Sequence, residues 1–108
     1  MDCIFCKIIA GEIPANFVAE TESLVAFHDI AKEAPLHLLV VPRAHHTDVV
    51  ELAQLAPALL TEMVLLGGEL AQDFSNGSFN LQFNTGADAG QSVFHVHGHV
   101  KSRILKGA

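Results

Sequence analysis

The sequence predicts an α+β fold, an antiparallel sheet with its helices gathered on one face. Strand-like segments open the chain, helical periodicity fills 48–74, and strand-like segments return after it. The connections are short, and neither a repeat nor a linker interrupts them, so residues 1–108 read as a single domain. Half the residues are hydrophobic and 17% are charged, a globular balance rather than a disordered one.

Cys3 and Cys6 are the only cysteines. Three readings of this Cys-x-x-Cys pair stay open: two small buried hydrophobes, a redox pair, or half of a tetrahedral zinc site. A redox pair wants a preceding strand, and only two residues come before Cys3. Residues 3–10 form a short apolar turn or helix, ended by Gly11 and Pro14. Phe17 to Glu20 and Ser23 to Phe27 are two strands joined by a polar turn, with His28-Asp29 closing the second. His37 to Val41 is a continuous apolar run, the mark of a central strand covered on both faces.

Thr47 is placed to cap a first helix over 48–54, with Asp48 and Glu51 in its favourable first turn. Pro57 suits the start of a second helix running to Phe74. Its apolar positions make two stripes, one through Leu59, Met63, Leu66, Leu70 and Phe74, the other through Leu60, Val64 and Ala71. One stripe covers a sheet; the second asks for another partner, which a dimer supplies most simply. After the Asn76-Gly77 turn, residues 79–84 alternate as a half-buried strand, and 85–91 form a loop.

The last strand, expected over 93–101, carries His95, His97 and His99 at every second position, on one face if the segment is extended. Three imidazoles make a poor core, so that face reads as a site. A metal could join two adjacent members with a ligand from elsewhere; all three on one ion would be badly stretched, since His95 and His99 start ~13 Å apart. Alternatively one neutral imidazole attacks phosphorus while its neighbours, Ser92 and the amides of 90–93 handle protons and oxygens. An incidental or pH-sensitive cluster is the third possibility. No P-loop pattern is present. A net charge of −6 argues against nucleic acid or an anionic membrane as partner. The N-terminus does not look like a secretory signal, and 52–74 is too broken by polar residues to span a membrane, so a cytoplasmic protein is expected.

The run His95-Val-His-Gly-His-Val100 after Gly90-Gln-Ser92 closely resembles the histidine triad (HIT) family in its Hint-like branch. Cys3 to Pro14, Ala26 to Ile30, Ala34 to His37, Val41 to His45 and Phe83 to Gly86 resemble further segments of that family, in order. The resemblance implies a five-stranded antiparallel sheet with two helices, pairing into a ten-stranded sheet in a homodimer. It implies cleavage of nucleotides at the α-phosphorus, on AMP phosphoramidates or acyl-AMP. Dinucleoside polyphosphate hydrolysis, a nucleotide-binding interaction protein, and a zinc-dependent hydrolase using His95 and His97 as ligands are the rivals.

By position, the resemblance makes His97 the nucleophile and His99 a donor to an α-phosphate oxygen. Ser92 and Gln91 would hold the phosphate, with Ser92 helping to protonate the leaving group. His37 would support the nucleophile, Asn84 would contact the phosphate or ribose side, and Asp29 would take the ribose hydroxyls. Phe5, Ile8, Phe27, Ile30 and Leu39 would wall the base. The resemblance also completes a structural zinc site, with Cys3 and Cys6 joined by His45 and His95, and leaves His46 to the surface. Two departures stand out. Gly98 replaces a bulkier apolar residue, leaving room on the reverse face, and Lys101-Ser102-Arg103 replaces a more apolar exit from the strand.

Overall fold

A computed structural model describes residues 3–107. Five strands build one antiparallel sheet: β1 Phe17–Glu20, β2 Leu24–His28, β3 Leu36–Pro42, β4 Asn80–Gln82 and β5 Gly98–Ser102, in the spatial order β1-β2-β3-β5-β4. All seven residues of β3 are buried, as its unbroken apolar run anticipates for a central strand. Strand alternation sorts the side chains between two faces. Leu24, Ala26, Leu36, Leu38, Val40 and Val100 point to one, where they pack with Leu52, Met63, Leu66 and Leu70 of the helices α2 Val49–Leu55 and α3 Pro57–Phe74. Val25, Phe27, Leu39 and Val41 point to the other, against Phe5 and Cys3 of a third helix, α1 Ile4–Ile9, and its cap. The sheet therefore has helices on both faces rather than one; the turn or helix expected over 3–10 is α1, which the two-helix count implied by the resemblance leaves out.

The α3 helix begins at Pro57 and presents Met63, Leu66, Leu70 and Ala71 to the sheet. Ala71, assigned from sequence to the second stripe, thus joins the buried face. Gly67 permits the close approach, since a Cβ there would meet the Phe79 ring at 3.3 Å and Val100 at 3.4 Å. Leu60 packs at the core margin, while Val64 and the neighbouring Leu65 remain exposed. The α2 cap is Asp48 rather than Thr47: the Asp48 carboxylate accepts from the Glu51 amide, and Glu51 reaches back to accept from the Thr47 amide at 3.0 Å. No helix among the described residues is long and apolar enough to cross a membrane.

The largest difference from expectation lies in the histidine run. Pairing of β3 with β5 ends at Val40 opposite Gly98, and β4 pairs only through residue 82, so the strand expected over 93–101 starts at Gly98. Upstream, the chain bonds elsewhere: the Val96 amide donates to the His46 carbonyl at 2.7 Å. His95 and His97 therefore precede the strand, and His99 alone of the three lies on it. The β4 strand contracts from the expected 79–84 for the same reason. Nor does Gly98 leave an empty reverse face. Leu81 and Phe83 fill it so closely that a Cβ would stand 2.9 Å from a Leu81 methyl and 3.2 Å from the Phe83 ring.

Candidate functional site

Leaving the sheet at Gly98 lets the three imidazoles take different neighbours. His95 is fully buried, and its Nε2 donates to the Pro42 carbonyl at 2.7 Å. That bond directs its Nδ1 lone pair at the Cys3 and Cys6 sulfurs, each 3.5 Å away. His45 Nδ1 completes the group, 3.3 Å from Cys6 Sγ and 3.1 Å from His95 Nδ1. Two soft sulfurs and two imidazole nitrogens suit zinc, and tetrahedral bonds of ~2.0–2.3 Å would put such atoms ~3.3–3.7 Å apart. The observed spacings lie close to that range, and the Pro42 carbonyl orients the ring as an outer-shell partner does. Cys3, Cys6, His45 and His95 thus form a closed four-donor group that could hold a metal ion.

His97 and His99 stay together, their ring centroids 5.0 Å apart. Their protons can be followed from the backbone outward. His97 Nδ1 donates to the His95 carbonyl at 2.8 Å, which leaves the Nε2 lone pair uncommitted. His37 Nδ1 accepts from the Glu33 amide at 3.1 Å, so His37 carries its proton on Nε2. That proton is directed at His99 Nδ1, 2.9 Å away, with an Asp29 carboxylate oxygen 3.3 Å off to the side. Accepting at Nδ1 forces the His99 proton onto Nε2. His99 Nε2 is buried and has no partner, alone among the side-chain nitrogens and oxygens of the described residues in this respect. Burial lowers the pKa of all three rings, and for His99 the neighbouring His97, His37 and Lys101 push further, to about 4. Neutral rings at pH 7 keep this proton order.

A cavity of about 790 Å³ opens beside these rings, large enough for a nucleotide-sized ligand. Phe5, Ile8, Phe27, Ile30 and Leu39 line it, as do Asp29, Asn84, Ser92, His97 and His99. The Phe5 ring stands edge-on to Phe27 and to His97. Ile30 is fully exposed and sits at the mouth rather than in a wall. Asp29 accepts from the Ala31 amide through one oxygen, an Asx turn that presents the other beside His37. Asn84 Oδ1 is taken by Gln82, which leaves its Nδ2 to donate.

Three expected roles change. Gln91 is buried and absent from the cavity wall. Its amide nitrogen donates to the carbonyls of Thr47 and Val93, and its oxygen accepts from the Gly86 amide, so it ties loops together and has no atom left for phosphate. His37 is also buried, and it bonds His99 rather than the proposed nucleophile. His46 is half-buried, and its carbonyl anchors Val96. Sequence reasoning missed Glu33, whose amide sets the His37 tautomer; a backbone group in a loop carries no side-chain signature.

Fold and site together define a small α+β protein in which two of the clustered imidazoles, His97 and His99, face one cavity. Residues 2–107 match the family model described as "Scavenger mRNA decapping enzyme C-term binding". Protein HitA of Neisseria gonorrhoeae is 43% identical over 100 residues, spanning 92% of this chain and 94% of that protein. Protein hit of Bacillus subtilis (strain 168) is 40% identical over 107 residues, 98% of this chain and 74% of that one. Among solved structures, a HIT family hydrolase from Clostridium thermocellum superposes with a TM-score of 0.89 at 33% identity, covering 99% of this chain and 95% of its own. The chain belongs to the histidine triad (HIT) family.

Proposed function

We propose that the protein is a nucleotide hydrolase acting at the α-phosphorus of nucleoside monophosphate derivatives, AMP phosphoramidates or acyl-AMP, through a nucleotidyl-His97 intermediate. One observation carries this reading: the backbone orders the protons so that His97 Nε2 holds a lone pair while His99 Nε2–H is buried and unpartnered. A nucleophile and an idle donor side by side are what phosphoryl transfer requires.

The base would rest between Phe5, Ile8, Phe27 and Leu39, with Ile30 at the rim, and the ribose hydroxyls would bond Asp29. His97 Nε2 forms a bond to phosphorus as the bond to the leaving group breaks. The leaving group takes the electron pair and, for an amine, a proton from the Ser92 hydroxyl, whose oxygen regains a proton in the hydrolysis that follows. The modified imidazole gains positive charge, and the His95 carbonyl accepting from Nδ1–H stabilises it. His99 Nε2–H donates to a non-bridging oxygen as its charge grows, and Asn84 Nδ2 supplies a second donor. Water then adds to phosphorus, its released proton restoring the Ser92 hydroxyl or, when a carboxylate has left, passing to solvent; the P–N bond returns its pair to His97, and the nucleoside monophosphate leaves.

Zinc held by Cys3, Cys6, His45 and His95 would fix α1 and the 92–97 segment against the end of β3; its chemistry is structural. The protein is further read as a cytoplasmic homodimer joined through the free edge of β4 and the exposed Val64 and Leu65 of α3. Sedimentation at monomer mass would count against that pairing. The activity is tested with His97→Ala, expected to lose turnover of an AMP phosphoramidate by at least ~10³-fold while still binding AMP. Retained turnover would defeat the covalent scheme, and faster cleavage of a diadenosine polyphosphate would reassign the substrate.

A further inference from the structure

The polar exit of β5 brings a lysine beside the histidine cluster. Lys101 lies directly opposite His37 in the β3–β5 register, on the face that carries His99. Its ammonium group is 2.5 Å from a Glu33 carboxylate oxygen and 3.1 Å from Gln82 Oε1. Lys101 is largely covered, with 19% of its side chain exposed. Glu33 lies in the loop 29–35, which follows β2 and rises over the site. Asp29 tethers the start of this loop through the Ala31 amide. Farther along, Glu33 is held at two points, its amide on His37 Nδ1 and its carboxylate on Lys101.

We propose that the Lys101–Glu33 ion pair is a positioning latch. It holds the 29–35 loop so that the Glu33 amide stays on His37 Nδ1, and through that bond it keeps the His99 proton on Nε2. Lys101 and Glu33 are positioning residues, since neither donates to His97 and each acts through His37. Without the latch the loop lifts, the amide leaves His37 Nδ1, and His37 exchanges between tautomers. In the wrong tautomer His37 presents a lone pair to His99 Nδ1, and the His99 Nε2 donor is lost. Lys101 also puts a positive charge near both rings, so a positioning role must be separated from a purely electrostatic one.

The kinetic consequence rests on the proposed activity; the tautomer consequence does not. The experiment pairs Lys101→Met with Glu33→Gln in the full chain. The first removes a positive charge and the second a negative one, and each leaves the Glu33 backbone amide in place. Nitrogen-15 NMR of the imidazoles reads the His37 tautomer, and kcat is measured on an AMP phosphoramidate. Both variants are expected to mix the His37 tautomers and to lower kcat roughly two- to fivefold, the range of a partly exposed ion pair. KM should hold, and Lys101→Arg should restore both readouts. An unchanged His37 spectrum in both variants overturns the latch, as do kcat changes of opposite sign, which would make the pair an electrostatic element only. Mixed tautomers with unaltered kcat would uphold the latch and instead overturn His99 as the oxygen donor in turnover.

Discussion

Acid should unfold this protein partly through His99, and the size of that effect follows from where the ring sits. Its side chain is 12% exposed, its Nδ1 receives the His37 proton, and its Nε2 is buried with no partner. Burial first, and then the nearby His97, His37 and Lys101, depress its pKa from an ordinary 6.5 to about 4. The unfolded chain therefore takes up this proton at a higher pH than the folded one. The neutral ring's contribution is complete above pH 6.5, is lost progressively as pH falls, and levels off below 4. At 1.36 kcal/mol per unit the loss has a ceiling of about 3 kcal/mol, since the neighbouring rings repel only when they are charged. Urea unfolding from pH 7 to 4 measures it, with His99→Gln as the reference that cannot titrate. The wild-type protein should lose stability more steeply between 6.5 and 4 by up to that amount. Parallel curves for the two proteins would refute the argument, because the ring would then be as free to protonate in the folded state as in the unfolded one.

Two further outcomes follow from packing and coordination. If the four-donor group holds zinc as proposed, purified protein should carry about one equivalent by elemental analysis, and Cys3→Ser should reduce it to a small fraction and lower the melting temperature. Turnover at a temperature where the variant remains folded should survive, because His97 and His99 lie outside the four-donor group. Gly98→Leu should destabilise by about 1–3 kcal/mol in chemical denaturation, since even its Cβ would crowd Leu81 and Phe83. A neutral result there would mean that β4 can shift away from β5.

Much of the fold is legible in the sequence because apolar pattern and punctuation agree. The run ending at Pro42 gave the central strand, Pro57 opened α3, and polar residues separated β1 from β2. The misplaced boundaries of β4 and β5 have one cause: a β-period pattern says which residues could be extended but not whether a partner strand reaches them. His95 and His97 alternate as strand residues should, yet the β3–β5 ladder stops at Gly98 and the chain upstream is drawn away. Gly98 posed the same difficulty, since a missing side chain looks like vacant space until the residues across from it, Leu81 and Phe83, are located. Of the site, Asp29, Asn84, Ser92, His97 and His99 line one cavity, a grouping suggested by the family resemblance and not by residue type or spacing. Gln91 could not be placed this way, because its side chain answers three backbone groups whose positions depend on the folded loops.

The proton order of the histidines lies deeper still. Each imidazole has two nitrogens, and residue identity is silent on which one bears hydrogen. Here the choice is made by main-chain groups: the His95 carbonyl fixes His97, the Pro42 carbonyl fixes His95, and the Glu33 amide fixes His37 and through it His99. A substitution that preserves every histidine can therefore still disable the site if it moves one of these peptides. Conversely, a neutral amide in place of a ring should retain function wherever it reproduces the same donor and acceptor directions. That makes the His37 position the more tolerant one and, under the proposed covalent scheme, His97 the intolerant one. The chemistry resides in the imidazoles, but their direction is a property of the backbone that surrounds them.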